Sequence, residues 1–567
     1  MANITSVQWA NSLHLKHSPK NSVLVKEKIV TIDSDTSEIL KVEDRLKRID
    51  DPKRTIYITK PQFRCHKYKK DVEDIFKVEP YVVKDRFLEY ELTRLLDIRI
   101  EDDQKRPSLR DLCDSPYVYH ADISLESLIR ASYQERQKHD IIPVRVGSFD
   151  IETSVLQDDS NGVINCLTFC AEKTIYTAAL DSFMWKYVDG KRVKATENDF
   201  RKQVAKDIKP YIDKHGFTIK FKICNNELEL LTWIFTKIHE EKVDFIGIWN
   251  IGFDIPTVIN RIKHYNRKPE DFFCHPDVEE DLRYCHFKED KRPAAHIVEK
   301  WHWFYCSHYS QWIDDMLLYA RIRKAQTKEP SYTLDAISTK EVGEGKIKLE
   351  EGSHAEMQQY KFVQYWTYNM VDAILLQLMH WKNGDIQQMM RLTGSSPYPD
   401  FSKQTVMLKN IYYKFCLKRG KVFASTGKNM VGPYDHYFSK SGGTVLKASL
   451  VQGIGINAVI ERPHYESMVV VLGADLDFKA YYPSTESMYG LSKENKLATV
   501  IGIKDIADKE DKNKTDKIEA LMGAIAMPQA NSVWVGHDYF GLPNYQEWIY
   551  IFANEFATPK LIENNNK

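Results

Sequence analysis

The feature that most constrains this chain is a short apolar strand that carries two acidic side chains, in the sequence Ser-Phe-Asp-Ile-Glu-Thr at residues 148–153. Alternate residues of a strand point to the same side of a sheet, so Asp150 and Glu152 are predicted to share one side while Phe149 and Ile151 face the other. Two carboxylates held this close repel each other, and a divalent metal ion with oxygen ligands would relieve the repulsion. A solvated edge strand could show the same short pattern, so the pair needs further acidic partners before it indicates a metal site.

A second acidic position follows another predicted strand, at residues 243–249. This strand leads into Asn250-Ile-Gly-Phe-Asp254 and then into an amphipathic helix predicted at residues 257–265. Asp254 is therefore expected at a strand-to-helix junction, where ligands gather in α/β folds.

A third acidic position lies on a long helix predicted at residues 354–382, where Tyr368 and Asp372 are four residues apart and so share one helical face. The three acidic segments in this order resemble the three exonuclease motifs of the proofreading nuclease domain in family-B DNA polymerases. The segment at residues 329–338, Glu-Pro-Ser-Tyr-Thr-Leu-Asp-Ala-Ile-Ser, adds to this likeness, as does the segment at residues 477–484, which resembles the first palm motif of the polymerase site. The chain is similar to the amino-terminal half of such a polymerase, of the kind that large tailed bacteriophages encode.

The fold class predicted for this chain is α/β within a multidomain α+β protein. Predicted strands and helices alternate between residues 143 and 382, which favours a sheet flanked by helices. The strands are predicted at residues 163–170, 174–179 and 217–223, and the helices at residues 197–215 and 227–241. The resemblance implies a β-rich N-terminal domain at residues 1–142, a ribonuclease-H-like exonuclease domain at 143–382, a helical connection at 383–440 and an incomplete palm at 441–567.

The resemblance also implies roles for the acidic residues of the nuclease domain. Two Mg²⁺ or Mn²⁺ ions would be held by Asp150, Glu152, Asp254 and Asp372. Tyr368 would orient the attacking water, since a phenol with a pKa near 10 is a poor base but a good hydrogen-bond donor. Hard oxygen ligands without a histidine favour magnesium over zinc.

The predicted palm segment carries a further metal ligand. Asp477 is selected over Asp475 because the family pattern places its aspartate five residues before the tyrosine that corresponds to Tyr482. The resemblance implies that Asp477 holds magnesium on an incoming deoxynucleoside triphosphate, which Tyr482 and Ser484 would contact.

Three residues are expected to contact DNA. Gly442 and Gly443 are similar to the family's glycine pair, which lets the backbone approach the template because glycine has no Cβ. Lys440 stands where the family usually has an aromatic residue, so a plain hairpin turn remains the alternative there. Asn250, four residues before Asp254, is also expected to contact DNA.

Cysteine and histidine residues are frequent between residues 274 and 308, which raises the question of a zinc site. The spacing fits none of the compact ligand pairs of structural zinc. The resembled family has an extended hairpin here, and we therefore favour a hairpin with packed histidines over a zinc site.

The chain lacks the later polymerase motifs: it ends at residue 567 without a fingers helix or an Asp-Thr-Asp-Ser hairpin. We expect a split or truncated polymerase that needs a second chain to supply the missing palm, fingers and thumb. The alternatives are a stand-alone DNA or RNA trimming exonuclease and a non-catalytic replication scaffold.

Composition bounds the remaining properties. Lys+Arg and Asp+Glu both count 80, so the net charge is zero and any basic DNA-binding surface must be local. No signal peptide or membrane span is apparent in the sequence. Nine cysteines without a regular spacing suit reduced thiols and a cytoplasmic location.

Overall fold

The chain divides into two compact units, Met1–Lys428 and Asn429–Lys567, in a computed structural model. The first unit is described at residues 4–13, 22–33, 36, 38–64, 72–98, 107–136, 144–293, 296–323, 329–347, 353–393, 398–402, 412–413 and 415–427. The second is described at residues 496–501, 532–534 and 560–563, which form an antiparallel sheet. No helix in these ranges is long and apolar enough to cross a membrane.

Residues 4–136 contain two three-stranded antiparallel sheets. One has the order β1-β2-β3, from β1 (Ile4–Leu13), β2 (Ser22–Ile32) and β3 (Ile39–Asp50). The other has the order β6-β4-β7, from β4 (Lys53–Thr59), β6 (Val78–Lys84) and β7 (Val118–Tyr119), while β5 (Val72–Asp74) lies outside it. The helices here are α1 (Leu88–Leu95), α2 (Leu109–Leu112) and α3 (Leu125–Arg136).

A six-stranded mixed sheet forms the centre of residues 144–393, with the order β13-β10-β9-β8-β14-β17. In chain order the strands of this region are β8 (Val146–Thr153), β9 (Ile164–Ala171), β10 (Thr174–Leu180), β11 (Trp185–Val188), β12 (Lys191–Lys194), β13 (Thr218–Cys224), β14 (Phe245–Ile248), β15 (Cys285–Lys288), β16 (Trp303–Cys306) and β17 (Gln311–Asp314). Strand β9 runs antiparallel to β8 and β10, whereas the pairs β10/β13, β8/β14 and β14/β17 are parallel. The pairs β11/β12 and β15/β16 form two small hairpins outside the six-stranded sheet.

Helices cover this sheet and complete its hydrophobic core. They are α4 (Glu197–Asp207), α5 (Lys209–His215), α6 (Glu227–Glu241), α7 (Ile251–His264), α8 (Glu270–Phe273), α9 (Asp315–Ile322), α10 (Leu334–Val342), α11 (His354–Tyr360), α12 (Phe362–Asn383), α13 (Asp385–Thr393) and α14 (Tyr398–Phe401). Helix α12 is buried along most of its length and packs with α6 and the sheet strands in one apolar cluster. Several helices begin at a residue whose side chain accepts a hydrogen bond from the first turn, which satisfies an otherwise free N–H group: Asn226 for α6, Asp314 for α9, Thr333 for α10 and Ser353 for α11.

The α/β prediction for this region is confirmed by the mixed sheet and its helices, and the predicted strands at residues 163–170, 174–179 and 217–223 lie in β9, β10 and β13 to within one residue at either end. Three predicted helices were wrong in their extent. The helix predicted at residues 354–382 is two helices, because Lys361 has non-helical backbone angles. The helix predicted at residues 197–215 breaks at Ile208, just before Pro210, which cannot donate a helical hydrogen bond. Helix α7 begins at Ile251, six residues earlier than predicted, and keeps Pro256 in its interior.

The segment after α14 returns to the N-terminal part of the same unit. Strand β18 (Lys421–Phe423) pairs antiparallel with β5, within a region for which the resemblance implied a helical connection. The strands of the second unit are β19 (Lys496–Ile501), β20 (Ser532–Trp534) and β21 (Lys560–Glu563). The domain limits at residues 142, 382 and 440 stay predictions.

Candidate active site

Three of the predicted acidic residues meet at one place. Strand β8 supplies Asp150 and Glu152, and the buried helix α12, which packs against β8, supplies Asp372. One carboxylate oxygen from each residue lies within 4.8 Å of the other two. Among the described residues, this is the group of three or more Asp, Glu, His or Cys side chains that is compact enough to hold one metal ion.

Asp254 lies beside this group without being part of it. Asn250 caps α7 by accepting a hydrogen bond from the N–H of Gly252 at 3.2 Å, which places Asp254 in the first helical turn. The Asp254 Oδ1 atom accepts a hydrogen bond of 3.3 Å from the N–H of Ile151, the residue between Asp150 and Glu152. Asp254 is buried, contacts the middle of β8 through this hydrogen bond, and lies in the first turn of the helix that follows β14.

Each clustered carboxylate has a specific polar partner. The side-chain amide of Asn369 donates to Asp150 Oδ2 at 2.6 Å, and the hydroxyl of Tyr365 donates to Glu152. The ammonium group of Lys346 lies 2.5 Å from Asp372 Oδ2 and 2.9 Å from the hydroxyl of Tyr368. Tyr368 is thus linked to the acidic group through Lys346.

Lys346, Tyr365 and Asn369 were missed by the sequence analysis. A signal for two of them was present, because Tyr365 and Asn369 precede Asp372 by seven and three residues and so lie on its face of α12. Lys346 lies in the segment after α10, outside any helix or strand, and no periodic pattern marks it.

Burial raises the pKa of every acidic residue at the site. For Asp150 the repulsion from Asp372, Asp254 and Glu152 adds to the effect of burial. Burial raises the pKa of Glu152 to about 7 against the hydrogen bond from Tyr365, and that of Asp254 to about 8 against the bond from Ile151. Burial also raises the pKa of Asp372 to about 6, although Lys346 opposes the shift.

The donor set fits a divalent cation. All its ligand atoms are hard carboxylate oxygens, and burial raises the pKa of each carboxyl, so a bound cation would favour their ionised form. In addition, Asp372 Oδ1 is buried without a hydrogen-bond partner in the described part of the chain. A cation bound to Asp150, Glu152 and Asp372 would compensate their negative charge and could contact the free oxygen of Asp372.

A further buried acid, Asp314, was also missed, and its role is structural. Its Oδ1 atom accepts from the N–H of Leu317 at 2.9 Å and caps α9, while Oδ2 accepts from the N–H of Ile251 at 3.1 Å. Asp314 therefore fixes the start of α7 relative to α9. Burial raises the pKa of Asp314 to about 8.

An exposed aromatic residue directly precedes Asp254 in the chain. Phe253, in the first turn of α7, is 50% exposed although the adjacent Asp254 is buried. An aromatic ring left in solvent beside an acidic site offers a surface on which a nucleic-acid base can stack.

The cysteine- and histidine-rich segment forms the predicted hairpin, with β15 paired to β16 and Cys285 opposite Cys306. Its last histidine, His308, lies within 3.0 Å of His239 on α6, and the rings of both contact His275. Burial lowers the pKa of His239 to about 4 and that of His308 well below the usual value, so both side chains are neutral at pH 7 in the folded chain.

The predicted palm and template residues lie outside the described residues. These are Gly442, Gly443, Asp477, Tyr482 and Ser484. Their roles stay predictions.

Residues 115–337 match the family model of the DNA polymerase family B exonuclease domain. The match includes Asp150, Glu152 and Asp254 and ends before Lys346, Tyr368 and Asp372. A search among curated proteins gave no match to the chain. The family match supports a family-B polymerase exonuclease domain in this part of the chain, and two of the clustered carboxylates lie on its strand β8.

Proposed function

We propose that this chain is a metal-dependent 3′-to-5′ exonuclease that removes nucleotides from a DNA 3′ end, as a proofreading domain does. The observation that carries the proposal is the cluster of Asp150, Glu152 and Asp372, which combines three hard-oxygen ligands with a match to the family-B exonuclease model on the strand that supplies two of them. The domain would be ribonuclease-H-like, and Asp254 would supply the ligand for a second ion. Mg²⁺ or Mn²⁺ would lower the pKa of a bound water and stabilise the oxygen that leaves the terminal phosphodiester.

The side chains around the cluster would orient the reacting groups. Burial raises the pKa of Tyr368 to about 12, so its hydroxyl stays protonated and can donate to the attacking water or to the scissile phosphate. Lys346 holds that hydroxyl at 2.9 Å and places a positive charge where the phosphate would lie. Asn369 and Tyr365 fix the rotamers of Asp150 and Glu152.

The substrate strand would enter past the first turn of α7. We assign Asn250 and the exposed ring of Phe253 to this entry, with Phe253 stacking on the terminal base.

The larger proposal is that this nuclease serves DNA replication as the amino-terminal part of a family-B DNA polymerase in the cytoplasm of a cell, of the type found in tailed bacteriophages. Asp477 would hold the palm metal ion, and Tyr482 and Ser484 would contact the incoming nucleotide. Primer extension with deoxynucleoside triphosphates, by the chain alone and with a candidate partner that carries the later polymerase motifs, tests this. Extension that Asp477→Ala leaves unchanged would refute the role of Asp477.

The nuclease assignment is tested by a double variant of β8, Asp150→Ala with Glu152→Ala. We expect the double variant to lose Mg²⁺-dependent digestion of single-stranded DNA by more than about 10³-fold, because the metal ligands are removed. Its binding of the same oligonucleotide in EDTA should be largely unchanged.

The matched control is Glu279→Ala with Glu280→Ala, two adjacent exposed acids outside β8. Digestion at the wild-type rate by the β8 double variant would refute the metal assignment. Equal digestion of single-stranded RNA by the wild type would favour a general trimming nuclease over a proofreading one.

A further inference from the structure

The hairpin of β11 and β12 has an unusual surface composition for so small an element. Its turn, Asp189-Gly190, has positive φ at both residues (49° and 75°), as a tight two-residue hairpin turn requires. The strand register places Trp185 opposite Lys194 and Tyr187 opposite Arg192, so aromatic and cationic side chains share one face.

The cations of this face lie over its aromatic rings. The guanidinium of Arg192 lies 4.6 Å from the ring centre of Trp185, and the ammonium of Lys194 lies 5.2 Å from it. Tyr187 remains 51% exposed. Exposed aromatic rings beside positive charges are the combination that binds single-stranded nucleic acid, whose bases stack and whose phosphates pair with lysine and arginine.

The hairpin is attached to the rim of the acidic site. The ring of Tyr187 contacts that of Tyr360 at 5.0 Å, and Lys186 forms a backbone bridge with Lys361 between α11 and α12. On the same helix pair, Gln358 donates to the carbonyl of Thr153, the residue after Glu152, at 2.8 Å.

A second connection runs along α12. The ring of Phe183, just before β11, packs on that of Phe362 at 5.5 Å. Tyr365, which bonds Glu152, follows Phe362 by three residues, about 4.5 Å along the helix axis. The hairpin is therefore connected to the metal ligand Glu152 through Phe362 and Tyr365, two residues one turn apart on α12.

Two of the hairpin's positive charges are available to a ligand. Lys186 and Lys194 pair with Asp199 and Asp181, at 2.6 Å and 2.7 Å. Lys191 and Arg192 are exposed and form no ion pair within the described part of the chain. Because the whole chain has zero net charge, two exposed cations without an ion pair in the described ranges are a local feature rather than a consequence of composition.

We propose that the β11–β12 hairpin binds the single strand of DNA that leads into the exonuclease site. Arg192 contacts its phosphates from the face that it shares with Tyr187, and Lys191 contacts them from the end of the hairpin, directly after the turn. Tyr187 offers a ring on which a base stacks. This inference rests on the proposed nuclease function for the direction of the strand, but it concerns a surface that contains none of the metal ligands.

The test is Lys191→Glu with Arg192→Glu in the full chain. Binding is measured by fluorescence anisotropy of a 5′-labelled, 15-nucleotide single-stranded oligonucleotide in EDTA, across a series of salt concentrations. We expect affinity to fall at least about 10-fold at low salt and the dependence on salt to become shallower by about one to two phosphate contacts. Tyr187→Ala should weaken binding with little change in the salt dependence.

The matched control is Lys263→Glu with Arg267→Glu, an equal charge reversal at exposed residues in the last turn of α7 and just after it, at the opposite end of the helix from Asp254. If the hairpin double variant binds the oligonucleotide with the same affinity and salt dependence as this control, the proposal is overturned, because the hairpin charges would then serve only local packing. Failure of the wild-type chain to bind the oligonucleotide would also overturn it.

A small substrate separates this proposal from the nuclease assignment. Thymidine 5′-monophosphate p-nitrophenyl ester reaches the acidic site without extending to the hairpin, so its Mg²⁺-dependent hydrolysis should be unchanged in Lys191→Glu with Arg192→Glu. The wild type could hydrolyse none of this ester and yet bind the oligonucleotide, with binding weakened in the variant. That result would refute the nuclease function but would support the binding surface.

Discussion

Each acidic residue of the site is unfavourable to bury by itself, but together the residues can bind a cation. Asp254 and Asp372 are buried, Asp150 and Glu152 are partly buried, and burial raises the pKa of all four. The three neighbouring acids raise the pKa of Asp150 further. Lys346 supplies a single positive charge to this group, and despite its burial the charge of Asp372 raises the pKa of Lys346. The positions of Lys346 and Tyr368 are thus set by the same electrostatic balance that favours a bound cation.

Lys346→Met should lower the turnover number for single-stranded DNA by about 100-fold with a smaller change in KM, because Tyr368 loses its orienting contact. In EDTA the variant should also melt at a lower temperature than the wild type, since the acids lose their only nearby cation among the described residues. Mg²⁺ should reduce this difference in melting temperature. Lys340→Met, at an exposed ion pair on α10, is the control. Unchanged turnover would exclude a role for Lys346.

The buried histidines predict how stability depends on pH. An unfolded histidine binds a proton near pH 6.5, whereas His239 in the folded chain does so only near pH 4, and burial holds the pKa of His308 well below its usual value. Between these values the unfolded state binds more protons, so stability should decrease as the pH falls from 6.5 to 4, by about 1.4 kcal/mol per pH unit for each histidine. Their neighbours Lys26, Lys242 and Arg283 add to this effect, and Asp277 opposes it.

His308→Gln should be less stable at pH 7 but should show a shallower decline, measured by urea unfolding at several pH values. Exposed His264→Gln is the control. An equal slope in both variants would contradict the assignment.

At the level of elements, β14 lies close to side chains of α9 and α12. Gly247 in β14 lies where a Cβ would come within 2.0 Å of Asp315 Oδ2 and 2.6 Å of His380 Nε2. Asp315 on α9 and His380 on α12 are both buried and lie 3.1 Å apart. The absence of a side chain at Gly247 therefore lets a buried polar pair join α9 to α12 behind the sheet.

Gly247→Ala should destabilise the chain by about 2–3 kcal/mol, because the added methyl group must displace buried side chains. In an Asp315→Ala background the same change should cost less than half as much, since the nearest obstruction is gone. Both are measured by urea unfolding. Additive effects of the two substitutions would show that the clash is not the cause.

In the first compact unit as a whole, a buried charge network ties the N-terminal sheet to the central sheet. Lys26 and Lys28 on β2 are fully buried, and both pair with Asp244, which precedes β14; the Lys28 contact is 3.0 Å. Lys28 also lies 3.2 Å from Asp44 on β3. Burial opposes ionisation of Asp244, but the two lysines outweigh it and lower the pKa of this carboxyl.

Asp244→Ala should cost about 3–5 kcal/mol of stability, because it leaves two buried ammonium groups without their main partner. It should also increase proteolytic cleavage between residues 51 and 146 relative to wild type. Asp277→Ala removes the exposed partner of the partly exposed Lys242 and should cost less than about 1 kcal/mol. Equal losses in the two variants would show that burial does not set the strength of the network.

The sequence by itself determined the local arrangement of the site. Asp150 and Glu152 share a side of β8 because side chains alternate along a strand, and Tyr368 and Asp372 share a face of α12 because four residues complete about one helical turn. The first two relations depend only on backbone periodicity. Asp254 was predicted at a strand-to-helix junction from the order of the predicted elements.

Tertiary structure decided which of these residues meet. The close approach of Asp150, Glu152 and Asp372, the position of Asp254 beside that group, and the recruitment of Lys346 from an irregular segment all follow from how α12 packs on β8. The break at Lys361 and the early start of α7 were likewise set by contacts with distant segments, through the bridge to Lys186 and the bond from Ile251 to Asp314. Such contacts join residues far apart in the chain, and no local pattern of residues specifies them.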